Sequence, residues 1–191
     1  MQKTDSQMQM NHGGHEMLDV KDAIGCSIDT MNQYMVLRSN VKNQELQGIM
    51  DRQHQFMLDE YNKVVESFQS GQDPSQPTGT YNMETGNDFV YGLKPVTMPQ
   101  KPMENVNEIS EEWISSRLLG ALKAGAKTLT AASLESTNPV VRRVLADSVP
   151  NWVEMAYEIS IFQNKNGFYQ VPQFNEADMK QMLNSFSTTK K

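Results

Sequence analysis

The chain has 191 residues and a formal net charge of −6 at pH 7, with 17 Lys and Arg against 23 Asp and Glu. This length suits one compact domain that can bury a core. Because the basic residues are scattered along the chain, the sequence does not favour nucleic-acid binding. No apolar run approaches the roughly 20 residues that a membrane helix requires, and residues 1–9 lack the pattern of a secretory signal, so we expect a soluble protein made in the cytoplasm. The single Cys26 excludes an internal disulfide, although it could link two chains.

The first predicted element is a helical hairpin. One helix runs from about Met17 to Arg38 and the next from about Gln44 to Gln69, and the short polar turn between them favours antiparallel neighbours. Each helix has apolar residues at helical spacing along one face. The predicted buried stripes are Met17, Val20, Ile24, Ile28, Met31 and Met35 in the first helix, and Leu46, Met50, Met57, Tyr61, Val64 and Phe68 in the second.

A long connection follows, from residue 70 to residue 109. It holds five of the eight prolines, which argues against a helix there. Such a long connection is unusual inside a domain, and we interpret it as a strap that travels the length of a helical bundle. The second and third helices would then run parallel, as in ferritin-like connectivity. Tyr81, Phe89 and Tyr91 are predicted to pin the strap to the bundle.

A second hairpin is predicted from residue 110 to residue 166. Its first helix spans about Ser110 to Leu134, and its second opens at Asn138 and Pro139, a favourable cap followed by a proline where no helical hydrogen bond is lost. After this hairpin, Asn175 can cap a short tail helix that would dock on its own bundle or on a neighbour. That helix carries Met179, Met182, Leu183 and Phe186.

The two hairpins match at a shift of 94 to 95 residues, which places Asn43 on Asn138 and most apolar positions on apolar positions. The pattern predicts an all-α fold, namely a ferritin-like four-helix bundle of two hairpins joined by a long crossover, plus a short C-terminal helix. We expect a flexible tail over residues 1–16, one bundle domain over residues 17–173, and a C-terminal helix and tail over residues 174–191.

The predicted inward face of the third helix is rich in small residues. It presents Ala121, Gly125, Ala132 and Ser133 to the bulky Met31, Met35 and Trp152. Large side chains opposite small ones predict a filled bundle, sealed by hydrocarbon and without a polar chamber. Met31, Met35, Met50 and Met57 are among the 14 methionines and lie on the predicted stripes, where flexible side chains fill gaps.

Two places contain weak candidate metal ligands. Asp51 and His54 stand three residues apart on the second helix, as in di-iron bundles, but Ala146 and Val149 occupy the matching positions of the fourth helix. A hydrogen-bonded histidine beside the core is therefore the preferred interpretation. The second candidate is the cluster of His12, His15 and Glu16 in the glycine-containing N-terminal segment, where a solvated tail or a helix-leading turn is preferred over a metal site. No catalytic residue, cofactor site or metal site is predicted.

Three stretches carry a resemblance to a known family: GHEMLDV from Gly14, NPVVRRVLADSVPNWVEMAYEI from Asn138, and GFYQVPQFNEADMKQMLNSF from Gly167. They are similar to bacterial spore coat proteins of the coat protein F-like (Coat F domain) family, and the similarity covers residues 14–186. The resemblance implies a ferritin-like helical domain and a structural role in the endospore coat, with synthesis in the mother cell.

We therefore predict a noncatalytic coat component that acts through assembly with other spore coat proteins and with further copies of itself. Candidate partner-binding residues are Phe168, Tyr169, Val171, Phe174, Met179, Met182, Leu183 and Phe186. One alternative is a metal-binding ferritin-like oxidoreductase or storage protein with a degenerate site around Asp51 and His54. Another is an adaptor that binds one partner protein through the strap. Cross-linking through Cys26 or Tyr residues in the mature coat is a further hypothesis.

Overall fold

The computed structural model describes residues 11–95, 99 and 101–189, and is all-helical apart from turns and isolated bridges in that part of the chain. Four long helices, α1 (Gly14–Arg38), α2 (Gln44–Ser70), α3 (Glu111–Glu135) and α4 (Pro139–Lys165), are followed by a short α5 (Glu176–Leu183). A 3-10 turn at Val106–Glu108 precedes α3. The predicted all-α bundle with a short C-terminal helix is confirmed, with helix ends within three residues of those expected from sequence.

Helix starts follow the predicted capping chemistry. The side chain of Asn43 accepts hydrogen bonds from the first turn of α2, and that of Asn138 does the same for α4. Ser110 caps α3 and Asn175 caps α5. Such caps stabilise a helix end because they satisfy N–H groups that have no partner within the helix. Helix α4 continues through Pro150, which lies on its exposed side.

The four helices form a ring in which α1 packs on α2 and α3, and α4 packs on α2 and α3. The start of α1 meets the end of α3, because Glu16 bonds Thr137, and the end of α1 meets the start of α3, because Glu111 bonds Asn43. Helices α1 and α3 are therefore antiparallel. Since each short turn also reverses the chain, α2 and α3 run parallel, as the strap interpretation predicted.

The predicted core stripe of α2 is correct, whereas that of α1 is wrong at three of its six positions. Met17, Ile28 and Met35 are exposed, and Met35 keeps 65% of its surface. The buried face is rotated by about a quarter of a turn, counted at roughly 100° per residue. It carries Glu16, Val20, Ala23, Thr30, Met31, Tyr34 and Leu37. Three of these are polar or amphipathic residues, so a stripe defined by apolar residues alone selects a neighbouring face.

The predicted packing of a large side chain against a small residue is observed between Trp152 and Gly125. A Cβ atom built there would lie 2.0 Å from Cζ3 of Trp152, so only glycine fits opposite the indole. Both residues are buried. This close approach joins α3 to α4 and leaves no room for even one methyl group. The expected partner Met35 takes no part, because it faces solvent.

Two of the three aromatic residues predicted to pin the strap do so. Tyr81 is buried, with its ring 5.2 Å from that of Phe56, and the ring of Phe89 lies 5.6 Å from that of Tyr157. Tyr91 instead keeps 58% of its surface exposed. The strap therefore lies along α4 and α2 for the first part of its path.

The N-terminal boundary differs from the predicted one. Helix α1 begins at Gly14, three residues before Met17, and Glu16 is fully buried. Residues 11–16 thus pack with the bundle, whereas residues 1–10 of the predicted tail lie outside the described part of the chain. These residues pack with the bundle because the Glu16 carboxylate accepts hydrogen bonds from the backbone N–H groups of Thr137 and Asn138, in the turn between α3 and α4. The remaining domain boundaries stay predictions.

Candidate functional site

The first candidate metal pair, Asp51 and His54, gains no third ligand among the described residues. Asp51 is exposed and forms two hydrogen bonds with Arg38, at 2.7 Å to Nε and 2.9 Å to Nη2. The hydrogen bond from Arg38 lowers the pKa of the Asp51 carboxyl. His54 is half-buried. Across the described residues, no cluster of three or more His, Cys, Asp or Glu side chains is arranged to hold a metal ion.

The second candidate, His12, belongs to a buried polar clamp at one end of the bundle. Its Nδ1 lies 2.7 Å from Oε1 of Glu16. The other carboxylate oxygen of Glu16 accepts from the N–H groups of Thr137 at 2.9 Å and Asn138 at 3.0 Å, and from the Thr137 hydroxyl at 2.7 Å. His15, by contrast, is exposed. The clamp ties the start of α1 to the turn between α3 and α4.

Burial alone would raise the pKa of Glu16, because it disfavours the charged form. Hydrogen bonds from Thr137, His12 and Asn138 outweigh burial and bring the pKa of Glu16 to about 2. The carboxylate is therefore ionised at neutral pH. Its charge is used to hold backbone N–H groups at the start of α4.

An equivalent clamp closes the opposite end. Glu111 accepts from the N–H groups of Lys42 at 2.8 Å and Asn43 at 2.5 Å. Each of these residues has its counterpart in the first clamp 95 positions away, since Glu111 follows Glu16 by 95, and Lys42 and Asn43 precede Thr137 and Asn138 by 95. The sequence repeat is therefore also a repeat of structural role, because a glutamate from each hairpin binds the turn of the other hairpin.

A third polar cluster lies inside the bundle and corrects the prediction of an interior sealed by hydrocarbon. Glu158 of α4 is fully buried. Its carboxylate accepts from Arg52 Nη2 at 2.7 Å, from Gln53 Nε2 at 2.9 Å and from the Tyr81 hydroxyl at 2.5 Å. The hydroxyl of Tyr34 donates to the Gln53 side-chain oxygen at 2.5 Å. We call these five residues the Glu158 network.

The electrostatics of the Glu158 network favour one ionisation state. Burial raises the pKa of Glu158, but the hydrogen bonds from Tyr81, Gln53 and Arg52 outweigh it and leave the pKa below its usual value. Burial raises the pKa of the Tyr81 and Tyr34 hydroxyls, and the nearby Glu158 charge adds to the effect. The carboxylate is thus charged and both phenols are protonated at neutral pH, which is the state that completes the hydrogen bonds.

Side chains of α4 hold the strap through its backbone. The Asn151 amide accepts from the N–H of Tyr81 at 2.8 Å and donates to the carbonyl of Gly79 at 2.9 Å. Thirteen residues later, Asn164 makes the same pair of bonds to Val90, at 2.6 and 3.0 Å. Between the two amides, Glu158 accepts from the N–H of Glu84. Side chains of α4 therefore hold the backbone of the extended strap at three places, in addition to the hydrogen bond that Glu158 accepts from the Tyr81 hydroxyl.

The predicted partner-binding residues divide into two groups. Phe168 and Val171 contact their own chain, because the Phe168 ring lies 6.3 Å from that of Phe162, and Val171 accepts at its carbonyl from the N–H of Gly92 at 2.9 Å. The remaining residues are exposed except for the half-buried Met179; they are Tyr169, Phe174, Met182, Leu183 and Phe186. Their role in partner binding stays a prediction.

Sequence reasoning missed the Glu158 network and the Glu16 clamp. Tyr34, Gln53 and Glu158 stand beside the apolar stripes and were not assigned a role. A recognisable pattern was present, however. Asn151 and Glu158 stand seven residues apart, which places two hydrogen-bonding side chains on one side of a helix that follows a long extended strap, and Asn164 follows six residues later, about a third of a turn away.

The fold and these clusters define a four-helix scaffold strapped along one face. The Coat F domain model matches residues 110–172, which span α3, α4 and the extended segment up to Pro172. Spore coat protein F-like protein YhcQ from Bacillus subtilis (strain 168) is 49% identical over 175 residues, covering 92% of this chain and 80% of that protein. No solved structure matches the chain. The chain belongs to the spore coat protein F-like family.

Proposed function

We propose that this protein is a noncatalytic structural component of the bacterial endospore coat, made in the mother cell and acting through protein–protein assembly. The observation that carries the proposal is the 49% identity to a spore coat protein F-like protein over nearly the whole chain. The similarity includes the strap and the first hairpin as well as the Coat F domain, so it concerns the whole scaffold. Partners would be other coat proteins and further copies of this chain.

The use of the buried charges supports a structural role. Glu16 and Glu111 hold backbone N–H groups that fix the two ends of the bundle, and Glu158 holds the strap. An enzyme needs reactive groups that converge on a space where a substrate can bind. Here the buried carboxylates contact backbone and side-chain donors of their own chain, which makes them fixed parts of the scaffold.

The exposed apolar residues supply candidate surfaces for assembly. Leu183 keeps 75% of its surface and Phe186 keeps 85%, and both belong to a C-terminal segment whose residues are nearly all exposed. Exposed apolar patches of this kind are typical of interaction sites. Within the described residues, no helix is long and apolar enough to cross a membrane.

Localisation in sporulating cells tests the proposal. We expect a fluorescent fusion to appear first in the mother cell and then as a shell around the forespore. A signal that stays diffuse in the mother cell, or that appears inside the forespore, would contradict it. Elemental analysis of the purified protein tests the noncatalytic part, because stoichiometric iron or manganese that is lost in His54→Ala without unfolding would favour the metal-binding alternative.

A further inference from the structure

An apolar groove lies between α3 and α4, at the place where the strap and the segment after α4 meet. Its volume is about 690 Å³. Ala126 and Ala156 form the floor, and their small side chains give the groove its depth. The walls are aromatic or aliphatic and the rim carries two lysines; these residues are Phe89, Tyr91, Val153, Tyr157, Tyr169, Val171, Lys123 and Lys127.

The groove walls are partly open to solvent. Tyr91 keeps 58% of its surface, Val153 keeps 54% and Tyr169 keeps 46%. Burying such side chains against an apolar partner stabilises a complex by roughly 25 cal/mol per Å² of apolar surface. The groove is therefore shaped and composed to receive an amphipathic helix, a common mode of peptide recognition.

The C-terminal segment carries a matching helix face. Met179, Met182, Leu183 and Phe186 follow one another at intervals of three, one and three residues, which aligns them on one side of a helix. Helix α5 ends at Leu183 in the structure, and all of its residues except the half-buried Met179 are exposed. The face is thus preformed for two turns and could extend by one more turn on binding.

The charges of the two surfaces are complementary. Lys123 and Lys127 stand on the rim of the groove, and neither forms an ion pair within the described part of the chain. Helix α5 carries Glu176 and Asp178 in its first turn, and Glu176 pairs with Lys180 of the same helix at 2.6 Å, which leaves Asp178 as the acidic residue of this turn without an ion pair in the described part of the chain. Opposite charges at one end would set the direction in which the helix enters the groove.

We propose, on the basis of the proposed assembly function, that the apolar face of α5 from one copy docks into the α3–α4 groove of a second copy. Each chain presents this groove and one tail helix, and no residue of the tail helix is among the described residues that line the groove of its own chain. A contact between two different surfaces of identical chains is heterologous and can repeat without closing. The contact would therefore build linear arrays, which suits a protein layer.

Disulfide trapping between separately labelled chains tests this contact. All variants carry Cys26→Ser, so that the only thiols are those introduced. Chains with Ala126→Cys are mixed with chains carrying Leu183→Cys under mild oxidation. We expect a disulfide dimer of the two different chains. The matched control replaces Ala126→Cys by Val36→Cys, since Val36 is an exposed apolar residue on α1, away from the groove.

The outcomes separate the alternatives. A dimer that forms at least about tenfold faster than with Val36→Cys supports the proposal. A rate equal to the control overturns it. In a chain that carries both Ala126→Cys and Leu183→Cys, an exclusively intramolecular disulfide at micromolar concentration also overturns it, because the tail would then occupy its own groove.

A charge exchange provides an independent check by sedimentation velocity. Lys127→Glu should weaken self-association of the full chain about tenfold, and adding Asp178→Lys should restore it. Unchanged association in Lys127→Glu would contradict the proposal. Because localisation to the coat is measured separately, a protein that enters the coat without the tail-to-groove disulfide would refute this contact alone and leave the proposed function standing.

Discussion

A glutamate clamp closes each end of the bundle, but the two clamps differ in burial and in the number of hydrogen bonds. At one end Glu16 is fully buried, is supported by His12 and accepts from a hydroxyl as well as from two N–H groups. At the other end Glu111 is half-buried and accepts from two N–H groups in the turn before α2. The repeated hairpins thus preserve a polar contact between them, and the burial of the carboxylate sets how much that contact contributes to the stability of the fold.

The same pairing of positions, 95 residues apart, also relates Gly125 to Thr30 and Trp152 to Met57. The second hairpin thus places the largest side chain against the smallest, while the first hairpin has side chains of intermediate size at these positions. The two hairpins therefore fill equivalent positions with side chains of different volume. Matched substitutions in the two halves can therefore measure how far the equivalence extends.

The largest effect is expected for Gly125→Ala. The new methyl group would overlap the Trp152 ring, so the free energy of unfolding should fall by about 3 kcal/mol. Thr30→Ala, the matched change in α1, removes a hydroxyl that bonds only its own helix, and should cost about 1 kcal/mol or less. Chemical denaturation monitored by circular dichroism measures both. Equal losses would show that the Gly125 contact is not a special constraint.

The next effect concerns the two clamps. Glu16→Gln removes a buried charge that N–H and O–H groups donate to, so we expect a loss of about 2–3 kcal/mol. Glu111→Gln should cost about 1 kcal/mol, because its site is partly solvated. Denaturant melts of the two variants at pH 7 give the difference. A larger loss for Glu111→Gln would reverse the proposed ranking of the two ends.

The stability of the protein should also depend on pH through Glu16. Its pKa is about 2 in the folded chain against an ordinary value of 4.5, so the unfolded chain takes up protons first as the pH falls. The stabilisation is complete above about pH 5 and decreases towards pH 2, with a loss of about 2 kcal/mol between pH 6 and pH 3. Glu16→Gln should flatten this part of the profile measured by thermal melting, whereas a parallel shift of the whole profile would exclude Glu16 as its source.

A smaller and more local effect is expected where α4 holds the strap. Asn151→Ala removes the acceptor of the buried Tyr81 N–H and the donor to the Gly79 carbonyl, at a cost of about 1–2 kcal/mol. The loss should appear mainly as faster proteolysis within the strap. Ala146→Gly, an exposed change on the same helix, provides a control for general helix destabilisation. Strap cleavage at the same rate in both variants would count against a specific role for Asn151.

Much of the fold could be predicted because its determinants are local. Asn43 and Asn138 indicate helix starts, and the apolar stripe predicted for α2 coincides with its buried face. The face of α1 could not be predicted in the same way, since Glu16 and Tyr34 are buried only because partners from other elements complete their hydrogen bonds. A hydropathy pattern does not contain that information.

The Glu158 network is hidden from sequence for a related reason. Tyr81 and Glu158 are 77 residues apart, and their contact depends on the path of the strap across α4. The weak metal candidates on α2 gain no third ligand in the described part of the chain. Asp51 and His54 have suitable spacing, yet the spacing does not show that Arg38 already binds the carboxylate. In both cases the deciding partner lies on another element.

The central claim is that this scaffold is a structural part of the spore coat. Mass spectrometry of coat extracts from purified spores, with decoated spores and mother-cell lysate as references, tests it most directly. We predict strong enrichment of the protein in the coat extract. Its absence from that extract, with the protein recovered in the mother-cell lysate alone, would contradict the account.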